Sequence, residues 1–205
     1  MLRIASVLLL HLAMLPSALL LADATTDYES LFGAEAARVQ ASPSTKDDAV
    51  LAAKLLKTAQ QAAHDRTLQA LLCEKAYQFG IAGPDGYATA LQAMELLATV
   101  LPDKTALWRE RTRRVHQLRI LRGSPDEKAT ARRALVELLV ADGDALADSG
   151  NRGEALTAYR QAADVAATFD RNEARRIQEK VRQSVALQQA SLRLESLKAR
   201  LRQNR

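Results

Sequence analysis

Apolar residues recur at helical spacing along most of the chain, and no segment shows the strict alternation of a β-strand. One such stripe consists of residues that fall on a single helical face: Tyr87, Leu91, Met94, Ala98 and Leu101. A stripe of this kind is far more often part of a core than of a cofactor site. The pattern therefore predicts an all-α chain built from amphipathic helices.

Prolines and capping residues divide the chain into helices. The prolines beyond residue 24 lie between the apolar stretches: Pro43, Pro84, Pro102 and Pro125. Ser124 is predicted to cap a helix, with Glu127 placed to complete a capping box. Thr26, Asn151 and Asp170 begin the same polar-x-x-Glu pattern. We predict eight helices, near residues 27–40, 46–63, 66–79, 86–100, 103–121, 125–147, 152–168 and 171–203.

Residues 136–169 resemble one tetratricopeptide repeat, a helix-turn-helix unit of about 34 residues. The matching residues are Gly143, Leu146, Ala155, Tyr159 and Ala162. The small residues suit positions where two helices cross closely, and the ring of Tyr159 fills the adjacent groove. Leu146 occupies a position where the repeat usually has tyrosine.

A partial second copy covers residues 71–102. Four of its residues match the repeat pattern: Ala90, Met94, Leu97 and Pro102. Its first half departs from the pattern, and the turn containing Gly80, Gly83 and Gly86 is longer than usual; we interpret these glycines as positions of positive φ. The resemblance implies a short α-solenoid of antiparallel helix pairs, with an irregular unit at residues 103–135. It implies little about function, because such repeats are scaffolds.

Residues 1–24 are typical of a secretory signal peptide. Arg3 supplies the positive charge, residues 4–15 form an apolar stretch interrupted by His11, and Ala22-Asp23-Ala24 is a small-residue cleavage motif. We therefore expect cleavage after Ala24 and export to the bacterial periplasm or the exterior. The alternative is an uncleaved membrane anchor, because residues 4–22 approach the length of a membrane span.

Basic charge is concentrated at the end of the chain. Residues 171–205 hold ten Lys or Arg and three Glu, a net charge of +7, whereas residues 25–170 carry −2. This segment also has a heptad pattern: Leu187, Leu194 and Leu201, with Ala190 and Leu197 at the alternate positions. Three roles remain open for it: docking on the repeats, a coiled coil that makes a homo-oligomer, or a free basic helix. The predicted domains are residues 1–24, 25–169 and 170–205.

A second basic stretch follows Trp108. It includes the arginines that we consider for contact with an anionic partner: Arg109, Arg113, Arg114 and Arg119. Because they are distributed round much of a helix, we favour a solvated face with Trp108 in the core beneath it. The alternative partner is an anionic envelope polymer, a lipid headgroup or an acidic protein surface. Export makes nucleic acid the least favoured partner.

Composition argues against catalytic chemistry. One Cys, three His and eight Gly cannot easily supply a zinc cluster, a disulfide framework or a phosphate-binding loop. We interpret Cys73 as a buried small hydrophobe, with a reactive or intermolecular thiol as the alternative. Asp142 and Asp144 are interpreted as solvent-facing. We expect no enzyme activity, no metal and no cofactor.

Two hypotheses of function follow. In the first, the chain is a non-catalytic scaffold of the bacterial cell envelope that binds an unidentified protein or peptide. In the second, it is a basic envelope-associated protein that binds an anionic polymer or a membrane surface. Salt separates the two, because the second requires retention that weakens steeply as ionic strength rises. The residues that would contact a partner carry no signature of their own.

Overall fold

The computed structural model describes the backbone of residues 15–203 and the side chains of residues 22–203. In this part of the chain, eight helical segments pack in consecutive pairs, the first of which contains two α-helices joined by a π-helical turn. No strand is present in these residues, and the last segment is a long C-terminal helix. The predicted all-α class is therefore confirmed. Arg3 and the apolar residues 4–14 of the predicted leader lie outside the described residues.

The boundaries of the helices lie close to those predicted. The α-helices are α1 (Leu15–Tyr28), α2 (Ala34–Gln40), α3 (Thr45–Gln61), α4 (Arg66–Gly80), α5 (Tyr87–Val100), α6 (Thr105–Arg122), α7 (Pro125–Asp148), α8 (Arg152–Ala167) and α9 (Arg171–Gln203). A π-helical turn (Glu29–Gly33) joins α1 to α2, and two short 3₁₀ turns, Pro84–Gly86 and Pro102–Lys104, precede α5 and α6.

The first helical segment is longer than predicted. The helix runs from α1 through the π-helical turn into α2 without a break, so it passes through Thr26 instead of beginning there. The Thr26 hydroxyl donates a hydrogen bond to the carbonyl of Ala22 at 2.9 Å and caps nothing. Ala24, at the predicted cleavage point, is buried. Within residues 15–203, no helix combines the length and the apolar character that crossing a membrane requires.

The described part of the chain divides into two compact units, one ending at Val115 and the other beginning at His116. In the first unit, α3 packs on α4 and α4 packs on α5. Their facing stripes bury Leu55, Leu72 and Met94. Trp108 is only 1% exposed, and its indole N–H donates to the carbonyl of Leu101 at 3.1 Å. The predicted place of Trp108 in the core is therefore confirmed.

The glycine turn between α4 and α5 depends on close approach of the backbone. Among the described residues, Gly150 alone has a positive φ, so the positive φ predicted for Gly80, Gly83 and Gly86 is wrong. A Cβ on Gly86 would lie 2.4 Å from the carbonyl oxygen of Gly80, and a Cβ on Gly80 would lie 2.9 Å from that of Gly86. Only glycine lets these two stretches of backbone meet.

In the second unit, α7, α8 and α9 pack one on the next, and the short turns between them make neighbours antiparallel. Leu135, Leu139, Ala162 and Ile177 belong to one core cluster. The closest approach is at Gly143, where an added Cβ would lie 2.6 Å from the ring of Tyr159. The helix pair predicted by the small residues of 136–169 is therefore present.

Helix ends in the second unit follow the predicted caps with one exception. Ser124 and Glu127 each accept a hydrogen bond from the backbone N–H of the other, which completes the capping box. Asp170 accepts from the N–H groups two and three residues later. Asn151 makes no side-chain cap. Gly150, with φ of 84°, instead ends α7, and the Asn151 N–H bonds back to a carbonyl of that helix.

The Gly143–Tyr159 contact can be tested with a matched pair of substitutions. We expect Gly143→Ala to lower the free energy of unfolding by about 1–3 kcal/mol, because the Tyr159 ring has to move. Gly153→Ala in α8 is the control, since nothing lies within 4 Å of the added Cβ. It should raise stability by about 0.5–1 kcal/mol through helix propensity. Urea unfolding midpoints measure both, and a Gly143→Ala protein as stable as the wild type contradicts the contact.

His116 generates a prediction about pH. It is buried, and within the described part its Nδ1 has no hydrogen-bond partner. Burial, and then the charge of Arg119, lowers the pKa of its imidazole. Protonation therefore favours the unfolded chain, so stability should be full above the ordinary pKa of about 6.5 and fall as pH drops below it. Urea unfolding between pH 7.5 and 5 should show this slope.

The slope should shrink in His116→Gln and persist in His64→Gln, since His64 is exposed. If His116→Gln leaves the pH dependence unchanged, another group is responsible.

Candidate functional site

An exposed row of apolar side chains follows one face of α9. This leucine row consists of Leu187, Ala190, Leu194, Leu197 and Leu201. Its four leucines are between 53% and 68% exposed. One exposed leucine is ordinary in a folded protein, but a contiguous strip of them marks an interaction surface. The leucine row is therefore the strongest candidate site within residues 22–203.

The row is exposed because α9 is much longer than the helix on which it packs. α9 has 33 residues and α8 has 16, so an antiparallel partner covers only about the first half of α9. Ala174, Ile177 and Val181 make that packed half. A hydrogen bond from Arg152 of α8 to Ser191 marks its end, and every residue from 192 to 203 is exposed. The last twelve residues thus extend about 18 Å beyond the packed part.

Cations flank the leucine row on both sides. Arg193 and Arg200 lie along one edge at helical spacing, and Lys198 lies along the other. Lys198 pairs with Glu195 of the same helix at 2.9 Å, whereas Arg193 and Arg200 form no ion pair with another described residue. The site is therefore an apolar strip with a positive border.

A three-helix contact holds the packed half of α9 in place. The Tyr159 hydroxyl of α8 and the Lys180 ammonium of α9 both donate to Oδ1 of Asp144 in α7, each at 2.6 Å. The Lys180 ammonium also lies 5.4 Å from the centre of the Tyr159 ring, at cation–π distance. Asp144 is therefore more than the solvent-facing residue that the sequence suggested, because it joins three helices.

The charge states of this contact follow from its geometry. Partial burial raises the pKa of Asp144, but hydrogen bonds from Lys180 and Tyr159 and the charge of Lys180 outweigh it, so the pKa lies below its usual value. Burial, and then the bond to Asp144, raises the pKa of Tyr159 above its usual range. At neutral pH a charged acceptor therefore meets a protonated hydroxyl, which is the stronger kind of hydrogen bond.

Most of the residues that carry the repeat resemblance are buried in the cores of the two units. Those of the better copy are buried except for Leu146, which is half-buried. In the partial copy, Ala90, Met94 and Leu97 are buried, while Pro102 is exposed in the turn before α6. Their positions suit packing between helices, and of these side chains only Pro102 and part of Leu146 can meet a partner in solution.

The four arginines considered for an anionic partner do not form one exposed group. Arg113 pairs with Glu110, Arg109 and Arg119 are half-buried, and only Arg114 is exposed.

Arg111 shows what the pattern of α6 could not reveal. Its guanidinium lies 5.3 Å from the centre of the Tyr77 ring and 5.1 Å from that of Trp108, and it pairs with Glu74 at 3.5 Å. No sequence signal links these residues, because the contact depends on how α4 and α6 meet within the first unit.

Within the described residues, few groups are placed to support chemistry. No set of three or more His, Cys, Asp or Glu that could hold a metal occurs among the described residues. Cys73 is fully buried, and burial followed by the charge of Glu74 raises its thiol pKa to about 12. The thiolate required of a nucleophile is therefore strongly disfavoured, and the interpretation of Cys73 as a buried small hydrophobe is confirmed.

A cleft of about 260 Å³ borders α7 and the start of α9. Its lining residues are Arg133, Val136, Glu137, Phe169, Asp170, Glu173 and Arg176. Arg176 pairs with Glu173 at 2.7 Å, and Arg133, Glu137 and Asp170 leave a net charge of −1. The cleft therefore offers an anionic ligand no net attraction.

The three-helix contact generates a double-mutant prediction. We expect Asp144→Ala and Tyr159→Phe each to lower the free energy of unfolding by about 0.5–1.5 kcal/mol, and the double variant to lose less than the sum because the two share one bond. Urea unfolding of all four proteins measures the coupling. Asp164→Ala, at an exposed position of α8, is the control and should change little. Strictly additive losses would mean that the bond contributes nothing.

Comparison with known proteins adds no relative. No family model, curated protein or solved structure matches this chain. The resemblance of residues 136–169 to a tetratricopeptide repeat therefore stays a prediction, while the helix pair that it implies is present.

Proposed function

We propose that this chain is a non-catalytic scaffold that binds a protein or peptide in the bacterial cell envelope, and that the end of α9 is its binding surface. The leucine row carries the proposal. A folded chain gains free energy by burying leucine, at roughly 25 cal/mol per Å² of apolar surface removed from water. Four leucines exposed on one face therefore favour a partner that covers them.

The rest of the second unit suits a supporting role. Its polar contacts are internal: the Asp144–Tyr159–Lys180 contact and the Arg152–Ser191 bond hold α9 on α7 and α8. A helix fixed along its first half presents its second half in one direction. Such preorganisation lowers the entropic cost of binding.

The proposed location rests on the leader alone. Residues 1–24 have the charge, apolar stretch and small-residue motif of an exported protein. Ala24 is buried in the continuous helix, so cleavage after it would remove the first part of a packed segment. The mass and N-terminal residue of the exported protein decide between cleavage and retention.

A second candidate function, binding to an anionic polymer or membrane surface, is favoured by the cations that border the leucine row. Arg193, Lys198 and Arg200 would attract phosphate or carboxylate groups, and the leucines would enter the apolar layer of a membrane. This candidate requires binding to anionic vesicles that falls steeply between about 0.05 and 0.15 M salt.

Aspartate substitutions test the binding surface. We expect Leu197→Asp to weaken partner binding at least tenfold, because it places a charge in the apolar contact. Leu192→Asp is the matched control, since Leu192 is 66% exposed, against 54% for Leu197, but lies on the opposite side of α9. Both proteins and the wild type are incubated with envelope extract, cross-linked and compared by quantitative mass spectrometry.

The supporting outcome is a set of cross-linked proteins that wild type and Leu192→Asp share and that Leu197→Asp loses. Equal capture by all three would place the binding surface elsewhere. No specific capture, together with salt-sensitive binding to anionic vesicles, would replace the proposal with the second candidate.

A further inference from the structure

The leucine row has the register of a coiled coil. Leu187, Leu194 and Leu201 occupy the a positions of successive heptads, and Ala190 and Leu197 occupy the d positions. This a/d strip is narrower than the apolar face of a helix that lies in a membrane interface. Residues 187–203 also contain no aromatic side chain, whereas interfacial helices commonly present Trp or Phe as well as Leu. A second helix fits this strip better than a membrane does.

The a and d residues of the leucine row form the seam of this coiled coil. The charged residues at the e and g positions beside the seam are all positive. Arg193 and Arg200 occupy g positions, and Lys198 occupies an e position next to Ser191. Glu195 is the one acidic residue in residues 187–203, and it lies at a b position away from the seam. In coiled coils the e and g residues meet across the interface and set partner choice. The seam therefore selects its partner by positive charge.

This arrangement opposes pairing between two copies of the chain. In a parallel pair, Arg193 at g would face Lys198 at e of the second copy. In an antiparallel pair, the g arginines of both copies would share one flank. Each arrangement places like charges together, which disfavours the complex.

This inference rests on the proposed function. We propose that residues 187–203 form one helix of a heteromeric coiled coil. The other helix belongs to another protein and is amphipathic, with apolar a and d residues and acidic e and g residues. Such a helix buries the leucines and pairs Arg193, Lys198 and Arg200 with carboxylates. Leu192, at an f position, stays outside the interface. Leu187 and Ala190 are exposed, and residues 192–203 are exposed on every side. Ser191, at an e position, is bonded to Arg152 of α8, so from residue 192 onward the partner can approach without displacing any part of the second unit.

The length of the seam sets the expected strength. The leucine row spans about two heptads, which is short for a stable coiled coil. We therefore expect micromolar rather than nanomolar binding to an isolated helix. Binding should weaken with salt, because the flanking ion pairs are exposed at the interface.

Synthetic helices test the proposal on the full-length protein. The acidic probe is a fluorescent three-heptad peptide with Leu at a and d and Glu at e and g. The basic probe replaces these Glu with Lys, and a third probe keeps the acidic composition but moves the leucines off the a and d positions. Fluorescence anisotropy should show the acidic probe binding at least tenfold more tightly than either control. Similar binding of all three probes, or none, would overturn the proposal.

Two charge reversals locate the interface. Arg200→Glu changes a g position, and Arg202→Glu makes the same change of charge at a b position two residues away. We expect Arg200→Glu to weaken binding of the acidic probe about threefold to fivefold, and Arg202→Glu to have a smaller effect. Arg193→Glu combined with Arg200→Glu should reverse the preference toward the basic probe. Equal effects at g and b would indicate general attraction between opposite charges and contradict the register.

Failure of this inference can be told apart from failure of the proposed function. If Leu197→Asp loses its envelope partners while the acidic probe does not bind, the scaffold stands and its partner is not an acidic helix. If the full-length protein ignores the acidic probe but binds anionic vesicles, the strip is a membrane surface. All substituted residues here are exposed, and far-UV circular dichroism checks that each variant keeps its helical content.

Discussion

The second unit depends on the close approach of α7 and α8 at Gly143. Because Gly143 has no Cβ, the Tyr159 ring can lie against α7, and its hydroxyl reaches Asp144. The same Asp144 oxygen accepts a hydrogen bond from the Lys180 ammonium of α9. The crossing of α7 and α8 therefore also determines where α9 lies. One missing methyl group thus leads to a polar contact that orients α9.

That orientation gives the end of α9 its character. An antiparallel helix of 16 residues cannot cover one of 33, so the second half of α9 extends alone. The leucines placed there stay in water, at a cost that a binding partner can offset. Their cationic border then decides which partner is electrostatically acceptable. The length of α9 relative to α8 therefore decides how much of α9 is left for recognition, and the charge of that part decides which partner it accepts.

Much of the fold could be predicted from local pattern. Helical periodicity, the prolines and the Ser124–Glu127 box act within a few residues along the chain, so the sequence contains them directly. Predictions failed where the local pattern had more than one outcome. The glycine turn predicts positive φ at Gly80 and Gly86, but these residues are glycine because two stretches of backbone meet there. Thr26 resembles an N-cap, but it lies inside a helix that begins before it.

For the candidate site, the sequence alone determined the heptad of leucines, the excess of positive charge and the absence of recognisable catalytic spacing. It left docking, self-association and a free helix open for that segment. Tertiary structure decided that the first half of α9 packs on α8 and that the second half is exposed. The physical reason is that a periodic pattern specifies which face of a helix is apolar, whereas only the lengths and positions of neighbouring helices specify how much of that face is covered.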